Sequence, residues 1–297
     1  MPQAAKVLAF AEHARERVRR GMDATVDRWL GDDARARFDQ LAWHETSGGV
    51  DPFGFDPRVA KYAVLVARAL YRDWFRAEVR GLENVPDGRV LLISNHSGQL
   101  PLDGLAIACA LLLDRQPPRF VRSMVERWTA TLPFVSVLFP RVGQIVGVPE
   151  NCARLLEDEE PILVFPEGSK GISKPFSQRY KLTEFGIGFM RLALATKTPI
   201  VPVAVIGAEE QYISVADLQR VARVLGMPAF PVMPQLLIPG GFLPLPTKYR
   251  LEFGEPLVFT GDADDEDAVV EEKALVVKRT IQSMLNRGLK ERKSIFR

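Results

Sequence analysis

The stretch Leu92-Ile93-Ser94-Asn95-His96-Ser97-Gly98-Gln99-Leu100-Pro101-Leu102-Asp103-Gly104 decides the architecture of this 297-residue chain. The apolar run from Val90 to Ile93 has the composition of a buried strand. Ser94, Asn95 and Gly98 then break it with turn-favouring residues. Pro101, Leu102 and Asp103 open a helix, because proline suits the first turn and a carboxylate there suits the positive end of the dipole. This places His96 at the carboxyl end of a strand and Asp103 at the mouth of the next helix. Ligands of open α/β sheets bind along that edge. Of the three histidines, His13, His44 and His96, only His96 has a carboxylate across a tight strand-to-helix turn. Taken alone, the same pattern also suits a loop histidine satisfied by backbone groups.

Downstream, Leu105 to Leu113 continues as a buried helix and Phe120-Val121 reads as a short strand. Residues 123–139 have a helical pattern broken at Pro133, Val142 to Val146 a strand pattern, and Pro149 to Glu157 a helical one. Pro161 to Phe165 is a buried strand ending in Pro166-Glu167-Gly168-Ser169-Lys170-Gly171. A polar loop over 171–179 and a helix from Leu182 to Ala195 lead to a strand from Ile200 to Ile206. Pro199 and Pro202 predict an edge position or an irregular ladder for that strand. Tyr249 to Phe253 is a late strand, and residues 266–287 form an amphipathic helix before a basic tail. Strands alternating with helices give an α/β fold with a mixed, mostly parallel sheet covered by helices.

Upstream lies an N-terminal helical extension. Over residues 3–30 an apolar stripe runs through Val7, Ala11, Ala14, Val18, Met22, Val26 and Trp29, with Arg15, Arg17, Arg19 and Arg20 beside it. A second helix covers 33–43, Gly48-Gly49 lies in a loop, and Pro57 opens a third helix to about 76. On that third helix Arg58, Lys61, Arg68 and Arg72 share one face, opposite Val59, Ala63, Val66, Leu70 and Trp74. Such a helix either lies in a membrane interface or is an ordinary solvated surface helix. The expected division is a helical region over 1–80, a candidate membrane-surface element, and an α/β domain over 81–297.

Residues 224–247 carry no charge but hold Pro228, Pro231, Pro234, Pro239, Pro244 and Pro246, which excludes a continuous helix. Such a segment lines an acyl channel, touches lipid, or packs as a long loop on the core. The net charge of +2 gives no field suited to nucleic acid. Cys109 and Cys152 fall in apolar helical patterns, as reduced core residues of a cytosolic protein do. The histidines and cysteines have no zinc spacing. Neither a secretory apolar region nor a bilayer-spanning run is visible. The expectation is a protein that is soluble or sits on a membrane surface.

Three stretches together carry a resemblance: Asn95-His96 with Asp103, Phe165-Pro166-Glu167-Gly168-Ser169, and Val201-Pro202-Val203-Ala204. In order and rough spacing they resemble the glycerolipid acyltransferase family, which includes the 1-acylglycerol-3-phosphate O-acyltransferases, over roughly residues 85–210. The resemblance implies transfer of a fatty acyl group from acyl-CoA or acyl-carrier protein, as co-substrate and without a further cofactor, to a glycerolipid hydroxyl at the cytoplasmic, inner face of a membrane. It makes His96 the general base and Asp103 its orienting partner, with Glu167, Gly168, Ser169 and Lys170 at the substrate. A base that takes the hydroxyl proton as it attacks is what the chemistry needs, and imidazole titrates in the useful range. Ser97 lacks the nucleophile-elbow pattern.

Two departures bear on the substrate. Six residues separate His96 from Asp103 where the family usually has four. The stretch Gly143-Gln144-Ile145-Val146-Gly147-Val148-Pro149 lacks the arginine that the family's second block usually carries for the acceptor phosphate. Lys170, where the family often has arginine, and Arg141 upstream are the candidate phosphate contacts, with lysine acting as a point charge. A lysophosphatidic acid-like acceptor therefore competes with a neutral one, a diacylglycerol or a long-chain alcohol. Thioester hydrolysis and a non-catalytic lipid-binding protein of the same fold are further readings.

Overall fold

The structure, a computed structural model, describes residues 3–41, 49–96, 100–224 and 229–297, with the side chains of 3–12, 14, 15, 18, 19 and 219 left out. His44, Gly48, the last residues of the expected second helix, the Ser97–Gln99 turn and Pro228 therefore lie outside the described residues. So do the side chains of Val7, Ala11, Ala14, Arg15, Val18 and Arg19.

The chain begins with α1 (Gln3–Leu30), α2 (Asp32–Asp39) and α3 (Pro57–Ala69), the last extended by a wider turn over Leu70–Trp74. Asp56 caps α3 by accepting from Arg58 N at 3.0 Å, and Pro57 fills the first turn. β1 (Glu78–Arg80) and β2 (Val90–Ser94) precede α4 (Leu102–Leu113). β3 (Arg122–Val125), α5 (Val135–Arg141), β4 (Gln144–Val146), α6 (Pro149–Glu157) and β5 (Pro161–Val164) follow. Then come α7 (Ser169–Ile172), α8 (Gly188–Thr196) and β6 (Ile200–Ile206). The small strands β7 (Ala216–Asp217) and β8 (Pro231–Val232) bracket α9 (Gln219–Val224), and β9 (Arg250–Phe253) and α10 (Asp267–Glu291) complete the elements.

Seven strands form one sheet in the order β1-β9-β6-β2-β5-β3-β4. The five from β6 to β4 are mutually parallel; β9 is antiparallel to β6, and β1 follows β9. Alternation divides the core into two layers. Val90 and Leu92 of β2 and Val201, Val203 and Val205 of β6 pack with α2, α3 and α4. Leu91, Ile93, Ile200, Ala204 and Ile206 pack with α6, α8 and α10. A strand covered on both faces has no polar side, which is why both read as unbroken apolar runs. Parallel pairing brings the carboxyl ends of β2, β3, β5 and β6 to one edge, where the candidate residues emerge.

Several expectations are corrected. β6 is interior and wholly buried, not an edge strand. Ile200 N bonds Leu257 O, and Pro202 O accepts from Gly254 N at 2.8 Å, both on the β9 side, so the nitrogen of Pro202 is turned to that side too and away from β2. No bond of the β2–β6 ladder is lost there. β3 lies at 122–125, just after the strand expected at Phe120-Val121 and over the start of the helical pattern expected from 123, because it fits between β5 and β4. The segment before Gly188 is not helical; Leu182 N is held by the Gln282 side chain and Gly186 N by Pro166 O.

The N-terminal helices also turn differently from their apparent stripes. On α1 Val26 and Leu30 are buried, while Trp29 is 71% exposed. On α3 the core face is Ala60, Val64 and, two turns on in the wider turn, Tyr71; Val66 is 61% exposed. The basic face of α3 has internal partners: Arg58 with Asp56, Lys61 with Asp27 of α1, and Arg72 with Asp114 after α4. The first 80 residues share a core with the rest, since Leu30, Phe38, Val64 and Tyr71 join the β2–β6 layer and β1 pairs with β9. Among the described residues no helix is long and apolar enough to cross a membrane.

The Lys61–Asp27 pair ties α1 to α3. Lys61→Glu is expected to cost roughly 1 kcal/mol, read as a lower melting temperature, and Asp27→Lys in the same chain to restore most of it. Equal melting of the single and double variants would mean that the pair contributes nothing.

Candidate active site

Asn95 ends β2 with its carboxamide in place of a backbone pair. Its Nδ2 donates to Val205 O at 3.0 Å and its Oδ1 accepts from Val205 N at 2.8 Å. The fully buried side chain thus carries the β2–β6 ladder one residue beyond the strand and fixes where His96 leaves it. His96 Nδ1 lies 2.8 Å from Asp103 Oδ2. Asp103 is fully buried in the first turn of α4, and its other oxygen accepts from Gly104 N at 2.8 Å. Pro101 caps the helix rather than filling its first turn. Six intervening residues do not keep the pair apart. The His96 ring stacks on Phe165, with centroids 4.1 Å apart and planes 20° off parallel. With Nδ1 engaged by a carboxylate, the ring is disposed to carry its proton there and leave Nε2 as the acceptor.

Glu167 lies beneath this pair. Its Oε1 accepts from His96 N at 3.1 Å. Its Oε2 accepts from Thr183 N at 2.8 Å, Thr183 Oγ1 at 3.0 Å and Lys174 Nζ at 3.3 Å. The side chain has no solvent exposure. Both Glu167 oxygens are thus engaged within the protein, one of them by the main chain of His96, while the family resemblance implies a substrate contact. Lys174 Nζ also reaches Glu209 Oε1 at 3.2 Å, so one buried cation faces two buried carboxylates. Burial pushes the Glu209 carboxyl up to about 7, against the pull of Lys174.

Gly168 has φ +54°, and a Cβ there would stand 2.8 Å from Glu126 Oε1. The same oxygen accepts from Ser169 N at 2.7 Å, so Glu126 at the end of β3 shapes the turn. At Gly171 a Cβ would lie 2.8 Å from His96 Cβ and 2.9 Å from Glu167 Cβ; only glycine admits that approach. Lys170 is exposed beside this turn and pairs with exposed Glu184 at 3.6 Å. Arg141 is not brought to the site. It ends α5 just before β4, by the amino ends of the strands, where its carbonyl accepts from Asp56 N.

Sequence reading missed Phe165 as a stacking partner, along with Glu126, Lys174, Thr183 and Glu209. The one available signal was Glu209-Glu210 directly after an apolar strand, since buried carboxylates require a cation. Nothing local pointed to Lys174 as that cation.

A family model described as Acyltransferase matches residues 76–206. An uncharacterized protein of Mycobacterium leprae is 41% identical over 256 residues, 83% of this chain and 70% of that one. A mouse protein named as a DGAT1/2-independent enzyme synthesizing storage lipids is 23% identical over 214 residues, 72% of this chain and 61% of that one. The crystal structure of the 1-acyl-sn-glycerophosphate acyltransferase PlsC from Thermotoga maritima aligns with a TM-score of 0.51 at 17% identity and covers 88% of each chain. That alignment bears out the mixed sheet and helical layers as a shared fold.

The Glu209 carboxyl ionises in its ordinary range when unfolded and near 7 when folded. Between those values the folded chain holds a proton that the unfolded chain lacks. Its contribution is therefore complete below the ordinary range and is lost as pH rises towards 7. Glu209→Gln, which keeps the neutral form, is expected to gain melting temperature relative to wild type between pH 5 and 8 (a window set by that pKa). A gap constant across the window would show that Glu209 does not titrate there.

Proposed function

The chain belongs to the acyltransferase family, and on that premise we propose that it transfers a fatty acyl group from acyl-CoA or acyl-carrier protein to a glycerolipid hydroxyl at a membrane surface, with His96 as general base. The observation that carries the reading is the 2.8 Å contact of His96 Nδ1 with fully buried Asp103. As the acceptor oxygen attacks the thioester carbon, its proton passes to His96 Nε2. Asp103 steadies the imidazolium, as the aspartate of a catalytic triad does. The tetrahedral intermediate then expels the thiolate, the C–S bond breaks, and the thiolate takes up the proton. Phe165 holds the ring plane, and Glu167 and Asn95 hold the backbone beneath it.

The first reading of the acceptor is lysophosphatidic acid-like, with Lys170 beside the Glu167-Gly168-Ser169 turn as its phosphate contact. A neutral acceptor is the second reading. It is favoured by the pairing of Lys170 with Glu184, and by the likeness to a relative named for storage-lipid synthesis.

His96→Ala is expected to lower kcat/KM by about 10²–10⁴-fold, the usual share of a general base, with an unchanged melt. Asp103→Asn should also act mainly on kcat, and a near wild-type rate in either variant would sink the general-base reading. If the acceptor carries a phosphate, Lys170→Met should raise the acceptor KM by roughly ten- to a hundredfold, the worth of one charge-assisted contact, and leave donor kinetics alone. Unchanged acceptor kinetics, with a diacylglycerol preferred by the parent protein, would establish the neutral acceptor instead.

A further inference from the structure

The charge-free segment near the carboxyl end of β6 is built as an apolar tip. Leu236, Leu237, Ile238, Phe242 and Leu243 are all exposed, Leu237 to 88% and Phe242 to 70%. Water contact over that much clustered apolar surface is unfavourable and marks a contact face. The backbone of the tip meets its own needs. Leu236 N bonds Met233 O, Ile238 N bonds Gln235 O, Gly241 N bonds Ile238 O and Leu243 N bonds Gly240 O, at 3.0 to 3.3 Å. Residues 229–247 include five prolines, which have no N–H to satisfy. A segment with few unpaired donors and no charge enters an apolar medium at low polar cost.

The tip is fastened to the candidate active site on both sides. Gln211 Nε2 donates to Leu100 O at 3.1 Å, in the connection between His96 and Asp103, and Gln211 O accepts from Leu245 N at 2.8 Å. Ser214 O accepts from Phe176 N at 2.8 Å, in the loop after Glu167. Tyr212 OH donates to Phe242 O at 2.7 Å. The adjoining charge has one sign: from Leu218 to Thr247 there is no acidic residue, and Arg220 and Arg223 on α9 are exposed.

We propose that this tip inserts into the interfacial zone of a lipid bilayer, with Leu237 and Phe242 among the acyl chains and the α9 arginines at headgroup level. The docking surface is thus distinct from the basic face of α3, where Arg58, Lys61 and Arg72 have partners within the protein. The choice of a bilayer as occupant rests on the acyl-transfer reading above, because a lipid acceptor resides there and the tip borders the loops bearing His96 and Glu167. Insertion is shallow, since the flanking β7–β8 pair and α9 keep polar groups at the surface.

The test is flotation of the purified full chain with phosphatidylcholine vesicles, with and without phosphatidylglycerol, in the absence of any substrate. It needs no catalysis, so it can fail while acyl transfer stands, and the reverse. Wild type is expected to float with both vesicles, more with the anionic ones, and to stay bound to phosphatidylcholine at high salt. Leu237→Ser with Phe242→Ser should weaken binding at least about tenfold, since each buried apolar side chain is worth a comparable free energy. The thermal melt should not move, because both side chains are exposed. Charge reversal at Arg58 and Arg68 should leave flotation unchanged. Absence of wild-type binding, equal binding by the double variant, or a wild-type dimer that the double variant splits would overturn the proposal, the last by making the tip a contact between two copies.

Discussion

The two hydrogen bonds between the Asn95 carboxamide and the backbone of Val205 are the constraint on which the site depends. β2 must stop so that His96 can leave the sheet, yet a strand end buried between two layers cannot leave backbone groups of its neighbour unpaired. A side-chain amide offers the same donor and acceptor as a peptide unit. It therefore closes the ladder while the main chain turns away. The ring of His96 then falls between Phe165 and Asp103, and its backbone N–H falls on Glu167.

Behind that arrangement stands a charge problem. Glu167 and Glu209 are both buried, and Lys174 is the cation placed between them. Burying a carboxylate is costly unless it is paired and hydrogen-bonded. Glu167 meets the condition with bonds from His96, Thr183 and Lys174. Glu209, also bonded by Tyr180 N, has its carboxyl pushed up to about 7 by burial. The arrangement beneath His96 thus depends on side chains from stretches well separated in the sequence.

The edge that carries this site also carries the exposed apolar tip, and the polar residue Gln211 links the two. On the proposed reading, an enzyme whose acceptor is a lipid faces two demands: a dry, ordered base and access to a surface that water avoids. The parallel sheet meets both at one edge, because the strands with the same direction deliver their following loops to the same side.

Local sequence was sufficient for β2, β5, β6 and α6, since strands buried on both faces and a helix with one apolar stripe announce themselves in composition. His96 and Asp103 were legible because a strand, a turn and a helix start follow within a few residues. Three things were decided only by tertiary structure. Pro202 sits in an interior strand because its nitrogen faces the β9 side and leaves the ladder to β2 intact. The core face of α3 is Ala60, Val64 and Tyr71 because α1 and α4 take up the charges that seemed to mark its solvent side. Lys174 is the partner of Glu167 and Glu209 because the fold closes its loop over the end of β6. The sequence by itself determined the periodicities and the short-range order of reactive residues, which depend on neighbours along the chain. Only the tertiary structure decided which buried charges meet, because electrostatic pairing depends on distance in space and leaves no periodic trace in the chain.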